Sequence, residues 1–220
     1  MSLQMSLKPP PPTPPLDPEN TLLLDLSSGG RLAIQLRPDV APLHVERVKV
    51  LARGGFYNGL IFHRVIEGFM AQGGDPRGDG TGGSELPDLN AEFSGLPHVR
   101  GALSAARFED LNSANSQFFI MLAARLGLDG QHTVFGRVVS GMNFVDAVEQ
   151  GEPPANPARI LQASIRADNR PPPSAGAIAT VAAKPFAAGL TPSRYAAGPT
   201  MPPALSIRLP EGKPKPRKLQ

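Results

Sequence analysis

The side chains in this 220-residue chain that most readily suggest chemistry are four histidines, a few serines and a glycine-rich loop. None of them is spaced for it. His44, His63, His98 and His132 lack metal-ligand spacing and form no H-E-x-x-H pair, so a zinc site is not indicated. Ser104, Ser113 and Ser116 lie in no G-x-S-x-G elbow, and the chain has no cysteine, which sets covalent catalysis aside. Gly78, Gly80 and Gly83 formally satisfy G-x-G-x-x-G, but SELPDLN follows where a phosphate-binding loop would open a helix. That loop reads instead as a tight, glycine-permitted turn, and the Arg77-Gly78-Asp79 tripeptide inside it as coincidence. Nor do Arg64 and Gln72, Phe69, Met70, Phe119 and Leu128, or His132 carry any mark of chemistry in their spacing alone. Taken singly, Arg64 reads as a surface cation or salt-bridge partner and the apolar four as core.

These residues fall on short segments punctuated by glycine. Thr21 to Leu26 and Arg31 to Leu36 flank Ser27, Ser28, Gly29 and Gly30 with the chemistry of a β-hairpin. A helix is predicted near Ala41 to Arg53, where Val45, Val48 and Leu51 to Ala52 recur at helical spacing; Asp39 is its candidate cap and Gly54-Gly55 its stop. Leu60 to Ile66, Phe69 to Gln72, Gly101 to Ala106, Gln117 to Leu122 and Val134 to Val138 read as strands. Met142 to Gln150 has helical register and Arg159 to Ile165 closes the series as a strand. Many short strands and two separated helices suggest a mainly β fold, a closed barrel whose ends the helices plug.

Of 26 prolines, seven fall in residues 1 to 18 and eleven in residues 171 to 220. Such stretches cannot donate ladder hydrogen bonds. Residues 19 to 170 are therefore expected to form one folded domain, with Pro-rich extensions at 1 to 18 and 171 to 220. Residues 211 to 220 carry four cations and one acid, which accounts for the whole formal charge of +3. A neutral body with two tyrosines and no tryptophan lacks the basic groove and stacking rings of a nucleic-acid binder. No run of 18 apolar residues exists to span a membrane. The start repeats itself, MSLQ then MSLK, as a short tag remnant before Met5 would. KPPPPTPP follows where a signal sequence would be apolar, so a cytoplasmic place is expected, or a periplasmic one if a leader has been removed.

Four separated motifs occur in order: FHRVIEGFMAQGGD at 62 to 75, GALSAA at 101 to 106, SQFFI at 116 to 120 and LDGQHTVFG at 128 to 136. With the opening hairpin, the helix and GFYNGLIFHRVI, this order resembles the cyclophilin family over roughly residues 19 to 167. The resemblance implies an eight-stranded antiparallel β-barrel with two helices and a peptidyl-prolyl cis-trans isomerase that needs no cofactor or metal. An X-Pro amide resists rotation because the nitrogen lone pair is delocalised into the carbonyl. Reaching a turnover of ~10³ per second would take about 5 to 7 kcal/mol off that barrier. An apolar seat for the proline ring and a cationic donor for the nitrogen as it becomes pyramidal can supply this.

Carried over by motif, Arg64 is the donor to the proline nitrogen, and Gln72 orients Arg64 and binds substrate backbone. Phe69, Met70, Phe119 and Leu128 wall the proline pocket, His132 stands at its rim and Gly80 lies in the turn lining the groove. Ala106 and the backbone of Arg107 hold the residue before proline in strand-like contact. The chain departs from the family pattern in four places. Gly127 stands where many members have a Trp that contacts cyclosporin, so weak cyclosporin binding is expected. Arg107 replaces an Asn, Phe108 replaces a small residue beside the pocket for residues upstream of proline, and Glu67 replaces a turn Pro. The expected partners are proline-containing polypeptides, and the expected state is a monomer. Two other readings compete. One is a prolyl-peptide-binding module without turnover; the other is a scaffold acting through its Pro-rich ends, for instance Lys213 to Lys218. A tail segment at Ala197-Gly198-Pro199 that enters the groove, or one at Ala204 to Leu209 that packs on the barrel, is a further expectation.

Overall fold

Alternation of apolar residues builds the first hairpin. In β1 (Thr21–Leu26) and β2 (Gly30–Leu36), antiparallel pairing sets Leu22 opposite Ile34 and Leu24 opposite Leu32, which puts these four on one face. The turn between them passes through Gly29 at a φ of +110°, a conformation open to glycine. The computed structural model describes residue 9 and residues 12–174. The tail segments at Ala197–Pro199, Ala204–Leu209 and Lys213–Lys218 lie outside the described residues.

After β2 comes α1 (Pro42–Arg53), then β3 (Arg64–Ile66), β4 (Met70–Gly73), β5 (Ala102–Ala105), β6 (Phe118–Met121), β7 (Val134–Ser140), α2 (Met142–Asp146) and β8 (Ile160–Ile165). All ladders are antiparallel, and the strand order is β3-β4-β6-β5-β7-β2-β1-β8. The sheet curls into an open half-barrel, which corrects the closed barrel expected from sequence. β3 and β8 are its two edges, and isolated bridges, Ile61↔Arg159 and Val65↔Gly151, cross the seam in place of a continuous ladder. Of the strand expected from Leu60 to Ile66, Arg64–Ile66 pair with β4, whereas Leu60 and Phe62 bond across the seam, Leu60 C=O accepting from Ile160 N–H at 2.8 Å and Phe62 N–H donating to Ala158 C=O at 2.9 Å.

Two helix expectations are also revised. Asp39 does not cap α1: its carboxylate accepts from the Arg37 guanidinium at 2.8 and 2.7 Å. Pro42 opens the helix, and Glu92, far along the chain, accepts the free N–H groups of Leu43 and His44 at 3.1 and 3.0 Å. The second helix stops at Asp146, short of Gln150, because the chain must return to bridge Val65 at Gly151.

The period of two divides the apolar residues into two bodies. Phe118 and Ile120 of β6, Ala71 of β4 and Leu103 of β5 join Leu22, Leu24, Ile34, the helix residues Val45, Val48 and Val145, and Val148 just past α2 in the interior cluster. Phe119 and Met121, Met70 and Ala102 point the other way, into a second cluster with Phe69, Leu128 and Val134. That outer cluster floors the site.

Candidate active site

The ladder registers align the chemistry. Arg64 is opposite Gln72, Gln72 opposite Phe119, and Phe119 opposite Ser104, so one row crosses β3, β4, β6 and β5 on a single face. A parallel row sets Ile66 opposite Met70 and Met70 opposite Met121. A cation and an amide thus stand at one end of a strip whose middle is apolar.

The apolar seat is made by Phe69, Met70, Phe119 and Leu128, all buried. Leu128 comes from a 3-10 turn, Leu126–Leu128, held by Arg125 N–H donating to His98 C=O at 2.8 Å. Two histidines fix the Phe119 ring. His98 stacks on its face with centroids 6.1 Å apart, and His132 meets it edge-on at 5.5 Å and 82°. The Nδ1 of His98 lies 2.7 Å from Asp129 Oδ1, and its Nε2 lies 3.0 Å from the Ser104 hydroxyl. Beside a carboxylate, Nδ1 carries the proton.

His132 Nδ1 lies 3.1 Å from the Ala105 carbonyl, which can only accept, so Nδ1 again carries the proton and Nε2 is left as an acceptor. Burial pushes the His132 pKa down to about 4, against the opposing pull of that carbonyl. The ring at the rim is therefore neutral near pH 7.

Each polar group of the site has its own anchor. Arg64 Nε donates to Glu152 Oε2 at 2.5 Å, so Glu152, and not Gln72, holds the arginine. Gln72 Nε2 donates to Gln117 Oε1 at 2.9 Å, and Gln117 Nε2 donates to the carbonyls of Gly80 and Gly82 at 3.0 and 2.8 Å. The glycine-rich loop is in turn wound on Asp75. Fully buried, Asp75 accepts the N–H groups of Arg77 and Gly80 at 2.7 and 2.6 Å. A Cβ on Gly82 would fall 2.1 Å from Asp75 Oδ1, so this close approach requires glycine.

Beside the apolar seat lies a second recess, bordered by Gln72, Gly80, Ala106, Arg107, Phe108 and Gln117. The Ala106 N–H donates to Gln117 C=O at 3.0 Å, which continues the β5–β6 pairing past the strand end. The Arg107 side chain folds back onto carbonyls, donating to Gln131 at 2.9 Å and Phe108 at 2.7 Å, and burial lowers its pKa. Of the eleven residues predicted from sequence, five (Gln72, Gly80, Ala106, Arg107 and Phe108) border this recess, Phe69, Met70, Phe119 and Leu128 share the outer cluster, His132 packs on Phe119 and Arg64 pairs opposite Gln72.

Sequence reasoning missed Glu152, Gln117, Asp75 and the pair His98–Asp129. A signal existed for Gln117, since it precedes Phe119 by two and shares its face in any strand through SQFFI. Glu152 had none: it reaches Arg64 only because the seam brings Gly151 to Val65.

A family model described as cyclophilin type peptidyl-prolyl cis-trans isomerase/CLD matches residues 21–165. Over 170 residues the chain is 51% identical to a probable peptidyl-prolyl cis-trans isomerase of Brucella suis, an alignment covering 70% of this chain and 86% of that protein. It is 43% identical over 129 residues to peptidyl-prolyl cis-trans isomerase B of Bacillus subtilis, covering 58% and 89%. A crystal structure of a cyclophilin from Hirschia baltica superposes with a TM-score of 0.65 at 28% identity, covering 71% of this chain and 77% of that one. A Cryptosporidium parvum cyclophilin type peptidyl-prolyl cis-trans isomerase, solved in the presence of the dipeptide Ala-Pro, gives a TM-score of 0.62 at 28% identity, covering 66% and 98%.

Proposed function

The chain belongs to the cyclophilin-type peptidyl-prolyl cis-trans isomerase family, and we propose that it rotates X-Pro bonds in the groove that Arg64, Gln72, Phe119 and His132 border. It is an isomerase, and the family binds proline-containing peptides. What supports this assignment of the site is the register that sets Arg64, Gln72 and Phe119 in one row beside an apolar seat.

The proline ring enters between Phe69, Met70, Phe119 and Leu128, where water is excluded and the ring is held while the preceding carbonyl turns. As the amide twists, conjugation is lost and the lone pair returns to nitrogen. An Arg64 N–H donates to that lone pair, an interaction strong in the transition state and weak in the planar ground state. Gln72, locked by Gln117, meets the substrate backbone beside it. His132 closes the rim as a neutral ring. The residue before proline lies along Ala106 and the backbone of Arg107, and the Phe108 ring narrows the recess that takes residues further upstream. With Gly127 exposed where many cyclophilins carry Trp, cyclosporin binds weakly.

Titration of the ¹⁵N-labelled chain with an Ala-Pro peptide tests the assignment. The amide signals of Met70, Gln72, Phe119, Leu128 and His132 should shift, and those of Val48 and Ile165 should not. Shifts confined to the α1 side would place the binding site elsewhere.

A further inference from the structure

The seam of the half-barrel delivers a carboxylate to the arginine. Gly151 adopts a φ of +150°, and a Cβ there would lie 2.6 Å from the Pro154 Cα, so the turn requires glycine. Its N–H donates to Val65 C=O at 3.0 Å, and its C=O accepts from Val65 N–H at 2.8 Å. Two backbone bonds thus stitch the turn to β3 at the residue after Arg64. The next residue in the turn, Glu152, then takes the Arg64 Nε–H at 2.5 Å.

The side chains differ in exposure, 15% for Arg64 and 54% for Glu152. Glu152 therefore approaches the arginine from the solvent side. Among the described residues, Glu152 is the only side chain hydrogen-bonded to Arg64. Gln72, directly opposite in the ladder, is committed to Gln117. A guanidinium has five N–H donors in a rigid fork, so a bond to Nε fixes its plane and leaves the terminal nitrogens free to donate.

We propose that Glu152 is a positioning residue for isomerisation, which takes Nε of Arg64 so that the terminal N–H groups are oriented toward the prolyl nitrogen before substrate arrives. The inference rests on the assignment of Arg64 as the donor. A counter-ion that competed with substrate for the guanidinium would instead make the enzyme slower. The two effects differ in the sign of the change in kcat when the carboxylate is removed.

The test measures kcat and KM on a short X-Pro peptide for the full chain and for Glu152→Ala, Glu152→Gln, Arg64→Ala and the Arg64→Ala/Glu152→Ala double variant. Glu152→Ala should lower kcat about tenfold and leave KM within about twofold, as expected for lost preorganisation rather than lost binding. Glu152→Gln, which still accepts from Nε, should stay within about threefold of the parent. In the Arg64→Ala background, Glu152→Ala should have no further effect. The Nε–Hε NMR signal of Arg64 should be slow to exchange in the parent and in Glu152→Gln, and fast in Glu152→Ala. An unchanged or raised kcat in Glu152→Ala, or an equal loss without Arg64, would overturn the proposal. If Arg64→Ala is impaired and Glu152→Ala is not, only this inference fails; if Arg64→Ala keeps full activity, the assignment of Arg64 fails.

Discussion

Two adjacent phenylalanines should fail in opposite ways. Phe118 is 1% exposed in the interior cluster, edge-on to Tyr57 at 5.7 Å and to Phe62 at 6.3 Å. Phe118→Ala removes a ring from a closed interior, where transfer and cavity terms add to about 3 to 5 kcal/mol. At roughly 2 to 4 °C per kcal/mol for a domain of this size, the Tm should fall by about 6 to 20 °C. Phe119 floors the groove instead, and a void there opens to solvent and fills with water. Its cost should stay near the transfer term alone, about 1.5 to 3 kcal/mol. Activity should show the reverse. Phe119→Ala removes the seat of the proline ring and should lower kcat/KM about 10- to 100-fold, whereas Phe118→Ala, measured below its Tm, should stay within about threefold. Calorimetry and a protease-coupled isomerase assay on the same preparations decide it. A folded Phe118→Ala that has lost its activity, or a Phe119→Ala that costs as much stability and turns over normally, would refute the two-faced reading of β6.

Two further outcomes follow from the groove. A Cβ at Gly127 would meet no atom within 4 Å, so Gly127→Trp should fold normally and tighten cyclosporin binding by ~1 to 3 kcal/mol; equal calorimetric affinities would contradict the role given to this position. His132 has its folded-state pKa lowered to about 4, below the ordinary 6.5, so it contributes stability fully above pH 6.5 and loses it as pH falls toward 4. The urea midpoint should therefore drop less between pH 7 and pH 4.5 in His132→Gln than in the parent, and an NMR titration of His132 centred near 6.5 would show the burial argument to be wrong.

What the sequence made legible were the features that depend on local period and motif order. The hairpin at Ser27–Gly30, the helix from Pro42 to Arg53 and the strands through GALSAA and SQFFI all occur where spacing put them. The groove residues were assigned through the motifs, because singly Arg64 or Phe119 carries no mark of a site. What stayed hidden depends on long-range closure. The seam between β3 and β8, the cap that Glu92 gives α1 and the grip of Glu152 on Arg64 each join residues at least 48 apart. Asp39 shows the converse, since a good local cap was outbid by the stronger pull of Arg37 two residues away.

The central claim is that a cationic donor in the Arg64 row lowers the rotation barrier, and Arg64→Ala in the protease-coupled isomerase assay tests it most directly. Its side chain is not in either apolar cluster, so the variant should fold with a Tm close to that of the parent. Removal of one preorganised donor should lower kcat/KM about 10²- to 10³-fold, worth roughly 2.7 to 4 kcal/mol. A folded Arg64→Ala that retains more than about a third of the parent kcat/KM, under ~0.7 kcal/mol, would contradict the account.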